Sequence, residues 1–198
     1  MQSIADKIMI NVKHKGRGYI FTPKDFLDIG SRQSIDTSLS RLHNKGLIRR
    51  LARGLYDYPI NNPIIGELLP SIDSVAKAIA KEADIDLQIT GAKAVHLLGL
   101  TTQVPVKVVY LTNGNTKSIK IGNTTLSLKH VGTKIMAGSG KLSGAVLQAI
   151  RYLGKDKLSS CIISKIKKQL TTNDKIELAM IKRNAPDWSR STINQIIN

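Results

Sequence analysis

The sequence predicts an α+β protein: a winged helix-turn-helix over residues 1–60, followed by a small mixed α/β domain over residues 64–198. Three observations carry this. Apolar residues recur at helical spacing between strong helix starts and glycine stops. A basic hairpin follows the third helix. The segment Tyr58-Pro59-Ile60-Asn61-Asn62-Pro63 then interrupts the pattern, because two prolines and two asparagines in six residues suit neither a helix nor a central strand.

The first helix is predicted over residues 3–14, with Ile4, Ile8 and Val12 on one face, and Gly16-Arg17-Gly18 ends it. Tyr19-Ile20-Phe21 is a short β-prone run. Thr22-Pro23-Lys24-Asp25 starts a short second helix, with threonine as N-cap, proline at the first helical position and an acid in the first turn; it stops at Gly30. The third helix opens at Ser31 and runs to about Asn44, closed by Gly46. Ile35, Leu39 and Leu42 form its inner face. Leu47–Ala52 and Leu55–Tyr58 read as two strands around a tight turn at Arg53-Gly54.

That order places the third helix as the reader of double-stranded DNA, its N-terminal half toward base edges in the major groove. The candidate DNA-binding residues are Ser31, Arg32, Gln33, Ser34, Thr37, Ser40 and Arg41 on the helix, with Arg49, Arg50 and Arg53 on the hairpin. Arginine donates bidentately to guanine and glutamine pairs with adenine, while an arginine at a wing tip reaches phosphate or the minor groove. Asp36 is the only acid on this helix. The competing reading is a protein-contact module in which Arg49 and Arg50 form a solvated strand face; the alternation through Leu47–Ala52 does not decide which of the two faces outward.

Composition agrees with a polyanionic partner. The 198 residues carry 30 Lys+Arg against 14 Asp+Glu, a net charge of +16, spread over both predicted domains. Aromatics are 4%, so aliphatic residues must build the core. No apolar run approaches a membrane span, and Met1–His14 interleaves charges with apolar positions, which predicts a cytoplasmic chain without a signal peptide. The single cysteine, Cys161, excludes an internal disulfide; among Ile162 and Ile163 it is expected to be buried and inert.

In the second domain, helices are predicted at Ser74–Ala83, Gly91–Leu98, Leu142–Leu153, Ser159–Leu170 and Asn173–Arg183. Strands are predicted at Leu87–Ile89, Val106–Leu111, Ser118–Ile121 and Thr125–His130, with a hairpin turn at Gly122-Asn123. Chemistry is hard to find there. Gly138-Ser139-Gly140-Lys141 lacks the earlier glycine and following Ser/Thr of a phosphate loop. Asp84-Ile85-Asp86 has the form used in two-metal nucleotidyl transfer, but reads as a helix end. His14, His43, His96 and His130 have no carboxylate at ligand spacing, and Trp188 reads as an anchor for a terminal helix. No catalytic residue, metal or cofactor is expected, and nothing in the sequence points to an enzyme.

The run Ser31-Arg32-Gln33-Ser34-Ile35 through Leu39-Ser40-Arg41-Leu42, then Lys45–Arg50, Arg53-Gly54-Leu55-Tyr56 and Tyr58-Pro59, resembles the AbiEi antitoxins of type IV toxin–antitoxin (abortive infection) systems. The likeness continues through Val108–Gly114, Ile119–Gly122, Leu126–His130, Ala149–Lys155 and Pro186-Asp187-Trp188, which are similar to the family's second domain. It implies a bacterial transcriptional autorepressor that binds its own promoter and opposes a toxin of nucleotidyltransferase fold, with or without direct contact. A homodimer or cooperative binding on DNA is compatible with this, and the sequence does not fix the oligomeric state. The alternative is a winged-helix transcriptional regulator whose second domain senses a ligand or dimerises.

Overall fold

The computed structural model describes residues 2–64, 66–104 and 107–198. The chain is mixed α/β and divides into two compact units, residues 1–84 with 119–125, and residues 85–118 with 126–198.

The first unit opens with α1 (Ile4–Lys15). Ser3 caps it by accepting from the Asp6 amide, and Asp6 in turn accepts from Ser3 N. Strand β1 (Ile20–Phe21) follows. Pro23–Phe26 forms a single 3₁₀ turn, and residues 27–30 are turn and bend. The predicted second helix is thus no more than this turn. Its start is as the sequence indicates, but Phe26 is fully buried in the core while the next residue, Leu27, faces water, so the apolar pattern does not carry on.

Helix α2 (Arg32–Asn44) is capped by Ser31 and buries Ile35, Ser38, Leu39 and Leu42. Strands β2 (Arg49–Ala52) and β3 (Leu55–Asp57) form an antiparallel hairpin, and β1 pairs antiparallel with β3, giving the sheet order β1-β3-β2. Gly54 makes the hairpin turn at φ 71°, a left-handed conformation open to glycine without cost. The core joins Ile8 and Val12 of α1, Phe21, Phe26, the inner face of α2, Ile48 and Tyr56. Phe21 meets the Phe26 ring edge-on, with centroids 5.6 Å apart.

Beyond this core the unit continues where the sequence suggests a boundary. Strands β4 (Ile60–Asn62) and β5 (Gly66–Leu68) pair as a second hairpin, and α3 (Ile72–Ala83) follows. Pro59 precedes β4 and Pro63 follows it, so neither removes a ladder donor. Helix α3 is tied to the 3₁₀ turn by polar contacts. The Thr22 hydroxyl donates to Glu82 Oε2 at 2.6 Å, and Lys81 Nζ donates to the Asp25 carboxylate. Asp84 caps α3 in the left-handed region, at φ 52°, so the Asp84-Ile85-Asp86 run does begin at a helix end.

After α3 come β6 (Leu87–Ile89), α4 (Gly91–Leu97), β7 (Val108–Thr112), β8 (Lys117–Ile121), β9 (Thr124–His130) and α5 (Thr133–Met136), all in the second unit except residues 119–125 of β8, β9 and their turn, which count with the first. These are followed by α6 (Leu142–Leu153), α7 (Ser160–Gln169), α8 (Thr172–Ile181) and α9 (Arg190–Ile197). Val106, the predicted first residue of one strand in this domain, lies outside the described residues. The sheet runs β6-β7-β9-β8, with β6 antiparallel and β9 parallel to β7. Helix α6 is the spine: eight consecutive residues from Ser143 to Ile150 are buried. Its apolar side packs with Ala94, Val95 and Leu98, Ile166, Leu178, and Ile193 and Ile196.

Gly138 and Gly144 belong to this packing. A Cβ on Gly144 would stand 2.0 Å from the Gly138 carbonyl oxygen. The glycines around Lys141 therefore permit two backbones to touch, and Lys141 Nζ donates to Glu177 at 2.7 Å. Cys161 is exposed, contrary to expectation, because α7 turns Ile166 to the core and leaves this first-turn position in water. Trp188 is exposed as well, in the 3₁₀ turn before α9. Among the described residues no helix is long and apolar enough to cross a membrane, and no cluster of His, Cys, Asp and Glu is arranged to hold a metal ion.

Burial opposes ionisation of Asp25, but the bonds from Lys81 Nζ and from Thr22 outweigh it and hold the carboxyl below its ordinary value. The folded state binds the ionised form better, so this stability is present above the ordinary carboxylate range and disappears as pH falls through the lowered folded value. Asp25→Asn should therefore lower stability at neutral pH by about 1–2 kcal/mol and flatten the acid limb of the stability–pH curve, as measured by urea denaturation. An unchanged acid limb in the variant would show that the Asp25 contacts do not hold α3.

Candidate nucleic-acid interface

Helix α2 has two chemically opposite faces. Ile35, Leu39 and Leu42 fix it to the core with almost no exposure. Ser31, Arg32, Gln33, Thr37, Ser40 and Arg41 are exposed, and Ser34 is half-buried. All seven predicted polar positions therefore lie on or beside the outer face.

Their hydrogen bonds show which are committed. The Ser31 hydroxyl accepts from Ser34 N at 3.3 Å and lies 2.9 Å from the Ser34 hydroxyl. Thr37 Oγ1 donates back to Gln33 O at 2.9 Å, leaving its methyl and a lone pair outward. Arg32 Nε faces the Asp36 carboxylate at 3.2 Å, and its Nη1 lies 3.8 Å from Glu82. Both contacts are solvated, so they hold Arg32 weakly. The Gln33, Ser40 and Arg41 side chains have no side-chain partner among the described residues. A groove of about 420 Å³ runs beside this face, lined by Gln33, Thr37 and Arg41 of α2 and by Ser3 and Ile4. Ser3 is not among the residues the sequence singles out. Only the packing of α1 beside α2 places it there, and no local sequence signal could do so.

The hairpin separates its three arginines. Arg49 is 19% exposed and is consumed internally. Its Nη2 and Nε donate to the two oxygens of Asp57 at 2.6 and 3.0 Å, its Nη2 also reaches Leu68 O at 2.7 Å, and its Nη1 reaches Glu67 at 3.3 Å. Asp57 is 1% exposed. Burial pushes its carboxyl above the ordinary value, and the Arg49 guanidinium pulls it back. Arg50 and Arg53 are exposed and have no ion-pair partner among the described residues. The two strand arginines point to opposite sides, and a break in register between Arg50 and Ala52 accounts for the unclear alternation in sequence.

The exposed cations of this unit thus include Arg41, among amide and hydroxyl groups on α2, and Arg50 and Arg53 on the hairpin. Such a set can donate to phosphate oxygens and to base edges. These observations define a basic chain of two mixed α/β units. The chain belongs to a family of unknown function, DUF6088, whose model matches residues 7–178. No curated protein matches the sequence. Among solved structures, the RV2827C protein from Mycobacterium tuberculosis is similar over 97% of this chain and 81% of its own, with 10% identity and a TM-score of 0.44.

The arginines should separate in stability measurements. Arg49→Ala strands the buried Asp57 carboxylate and should cost about 3 kcal/mol. Arg50→Ala and Arg53→Ala should stay within about 0.5 kcal/mol of the parent. Chemical denaturation of the three variants checks this; equal destabilisation at all three positions would mean that Arg49 is no more structural than the others.

Proposed function

We propose that the first unit is a winged helix-turn-helix that reads double-stranded DNA, with α2 as the recognition helix and the β2–β3 hairpin as the wing. The observation that carries this is the division among the basic residues. Arg49 is neutralised inside the unit, whereas Arg41, Arg50 and Arg53 stand exposed, with no carboxylate partner among the described residues, and the exposed face of α2 is polar. A face made only for solubility would intersperse acids with these cations. The net charge of +16 supports the same partner class.

On this reading Gln33 and Arg32, in the first turn of α2, meet bases, with Arg32 released from its solvated contact to Asp36. Arg41 lies more than two turns further along and meets phosphate. Arg50 and Arg53 meet the backbone or the minor groove, and Arg49 contacts no DNA. The resemblance to AbiEi antitoxins extends the proposal: the chain is the DNA-binding autorepressor of a type IV toxin–antitoxin operon. Its second unit then opposes a toxin of nucleotidyltransferase fold.

Binding-site selection with the full chain tests the DNA reading. Gln33→Ala should relax specificity at one base pair, by roughly 1–3 kcal/mol, and leave other positions of the selected sequence unchanged. The double variant Arg50→Ala/Arg53→Ala should weaken specific and random DNA alike. Its salt slope should fall by about 0.9 for each phosphate that the arginines no longer neutralise. Wild-type selection by Gln33→Ala together with an unchanged salt slope in the double variant would remove both α2 and the hairpin from the interface. The antitoxin part is tested separately, by co-expression with a nucleotidyltransferase-fold toxin encoded beside it. Restored growth supports it, and continued arrest by an active toxin overturns that part alone.

A further inference from the structure

A second basic feature lies in the other unit and takes no part in the reading above. Arg151, in the last turn of α6, is half-buried. Its Nη2 donates to two main-chain oxygens, Lys134 O at 3.0 Å and Asn184 O at 2.5 Å. Its Nη1 is buried and has no hydrogen-bond partner among the described residues. Burial also lowers the pKa of this guanidinium, the mark of a charge with too little compensation. A buried charged donor without an acceptor is costly, and in native proteins such groups stand out.

Arg151 lines a cleft of about 440 Å³ together with Lys134, Arg183, Asp187 and Arg190. That volume is within the range of small-molecule sites. Four cations therefore face one carboxylate. Asp187 is almost fully exposed and is bonded to Arg190 at 2.8 Å, so it sits at the rim and offsets that arginine only. Arg183 and the Lys134 ammonium have no side-chain partner among the described residues. The residues come from α5, α6, the 3₁₀ turn Lys182–Asn184 and the start of α9, so their convergence is a product of tertiary structure.

We propose that this cleft binds a phosphate monoester, with Arg183 and Lys134 donating to its oxygens and Arg151 supplying charge at its wall, a shift of the guanidinium bringing its unused Nη1 to the phosphate. Guanidinium forks match phosphate oxygens in geometry, and a monoester carries close to two negative charges where an internal diester carries one. A surplus of three cations over the single carboxylate therefore favours the monoester. Two sources share this chemistry: a free nucleotide and the 5′-phosphorylated end of a nucleic-acid strand.

The test is calorimetric titration of the full chain with AMP, adenosine, and one short single-stranded oligonucleotide in 5′-phosphorylated and 5′-hydroxyl forms. Ionic strength is held constant, and arginine Nε–Hε resonances are followed by NMR. AMP or the 5′-phosphorylated strand should bind and shift the Arg151 resonance, while adenosine should not bind and the 5′-hydroxyl strand, even where it binds at the basic hairpin, should leave that resonance in place. Tighter binding of AMP identifies a free nucleotide as the source; tighter binding of the phosphorylated strand identifies a strand end. Lys134→Ala/Arg183→Ala, both at exposed positions, should weaken binding about tenfold or more with an unchanged melting temperature. If that pair destabilises the fold, Arg183→Gln alone and competition by inorganic phosphate against AMP on the parent chain give the same reading. The Arg50→Ala/Arg53→Ala variant should bind AMP as the parent does, which keeps failure here distinct from failure of the DNA reading. The proposal is overturned if neither phosphorylated form titrates and shifts the Arg151 resonance at millimolar concentration, if the 5′-hydroxyl strand shifts that resonance as much as the phosphorylated one, or if the Lys134/Arg183 variant binds AMP undiminished.

Discussion

Asp57 sits on the central strand of the small sheet with almost no access to water, and a carboxylate there must be neutralised. Arg49 does this from the neighbouring strand with both ends of its fork, then extends past it to Leu68 O and Glu67 on the next hairpin. One ion pair therefore fixes the register of β2 on β3 and pins β5 against them. It also decides the surface chemistry. With Arg49 committed inward, strand geometry sends Arg50 to the other side, where no acid among the described residues meets it. The exposed cations of this hairpin follow from the one that is turned in.

The two units treat a buried guanidinium differently. Arg49 has two carboxylates and a carbonyl around it, which together engage all three of its nitrogens. Arg151 has only carbonyl oxygens, both on one nitrogen, and another nitrogen is left over. The first arrangement is complete within the protein and serves folding. The second leaves a donor unused among other cations. The same residue type is thus a structural clamp in one unit and an unfinished contact in the other, and the number of acceptors around it, rather than burial, separates them.

Much of the secondary structure is legible in the sequence because its signals are local. Ser31, Ser71, Ser159 and Thr171 each cap a helix by accepting an amide three residues on, as their residue types suggest. The span Leu142–Leu153 follows directly from its apolar spacing. The rest depends on long-range contacts. The β4–β5 hairpin is hidden in the sequence because Pro59 and Pro63 read as breakers, whereas they flank a strand. The second helix reads as longer than it is because a good start says nothing about continuation. Arg49 and Arg50 cannot be distinguished by alternation because the register breaks beside them. Of the candidate interface, the α2 residues follow from helical periodicity alone; the inward turn of Arg49, the groove contribution of Ser3 and the convergence of Lys134, Arg151, Arg183 and Arg190 do not. Lys134 and Arg151 are far in the chain from each other and from Arg183 and Arg190, and no motif joins the four.

The exposure of Cys161 has a practical side. It is the only thiol in the sequence, and it stands in water on the first turn of α7. A maleimide dye or a spin label would attach to the natural chain at one defined position, with no cysteine to remove beforehand. The reporter would ride on the same unit as α6 and α9, and it would leave every residue of α2 and of the basic hairpin unmodified.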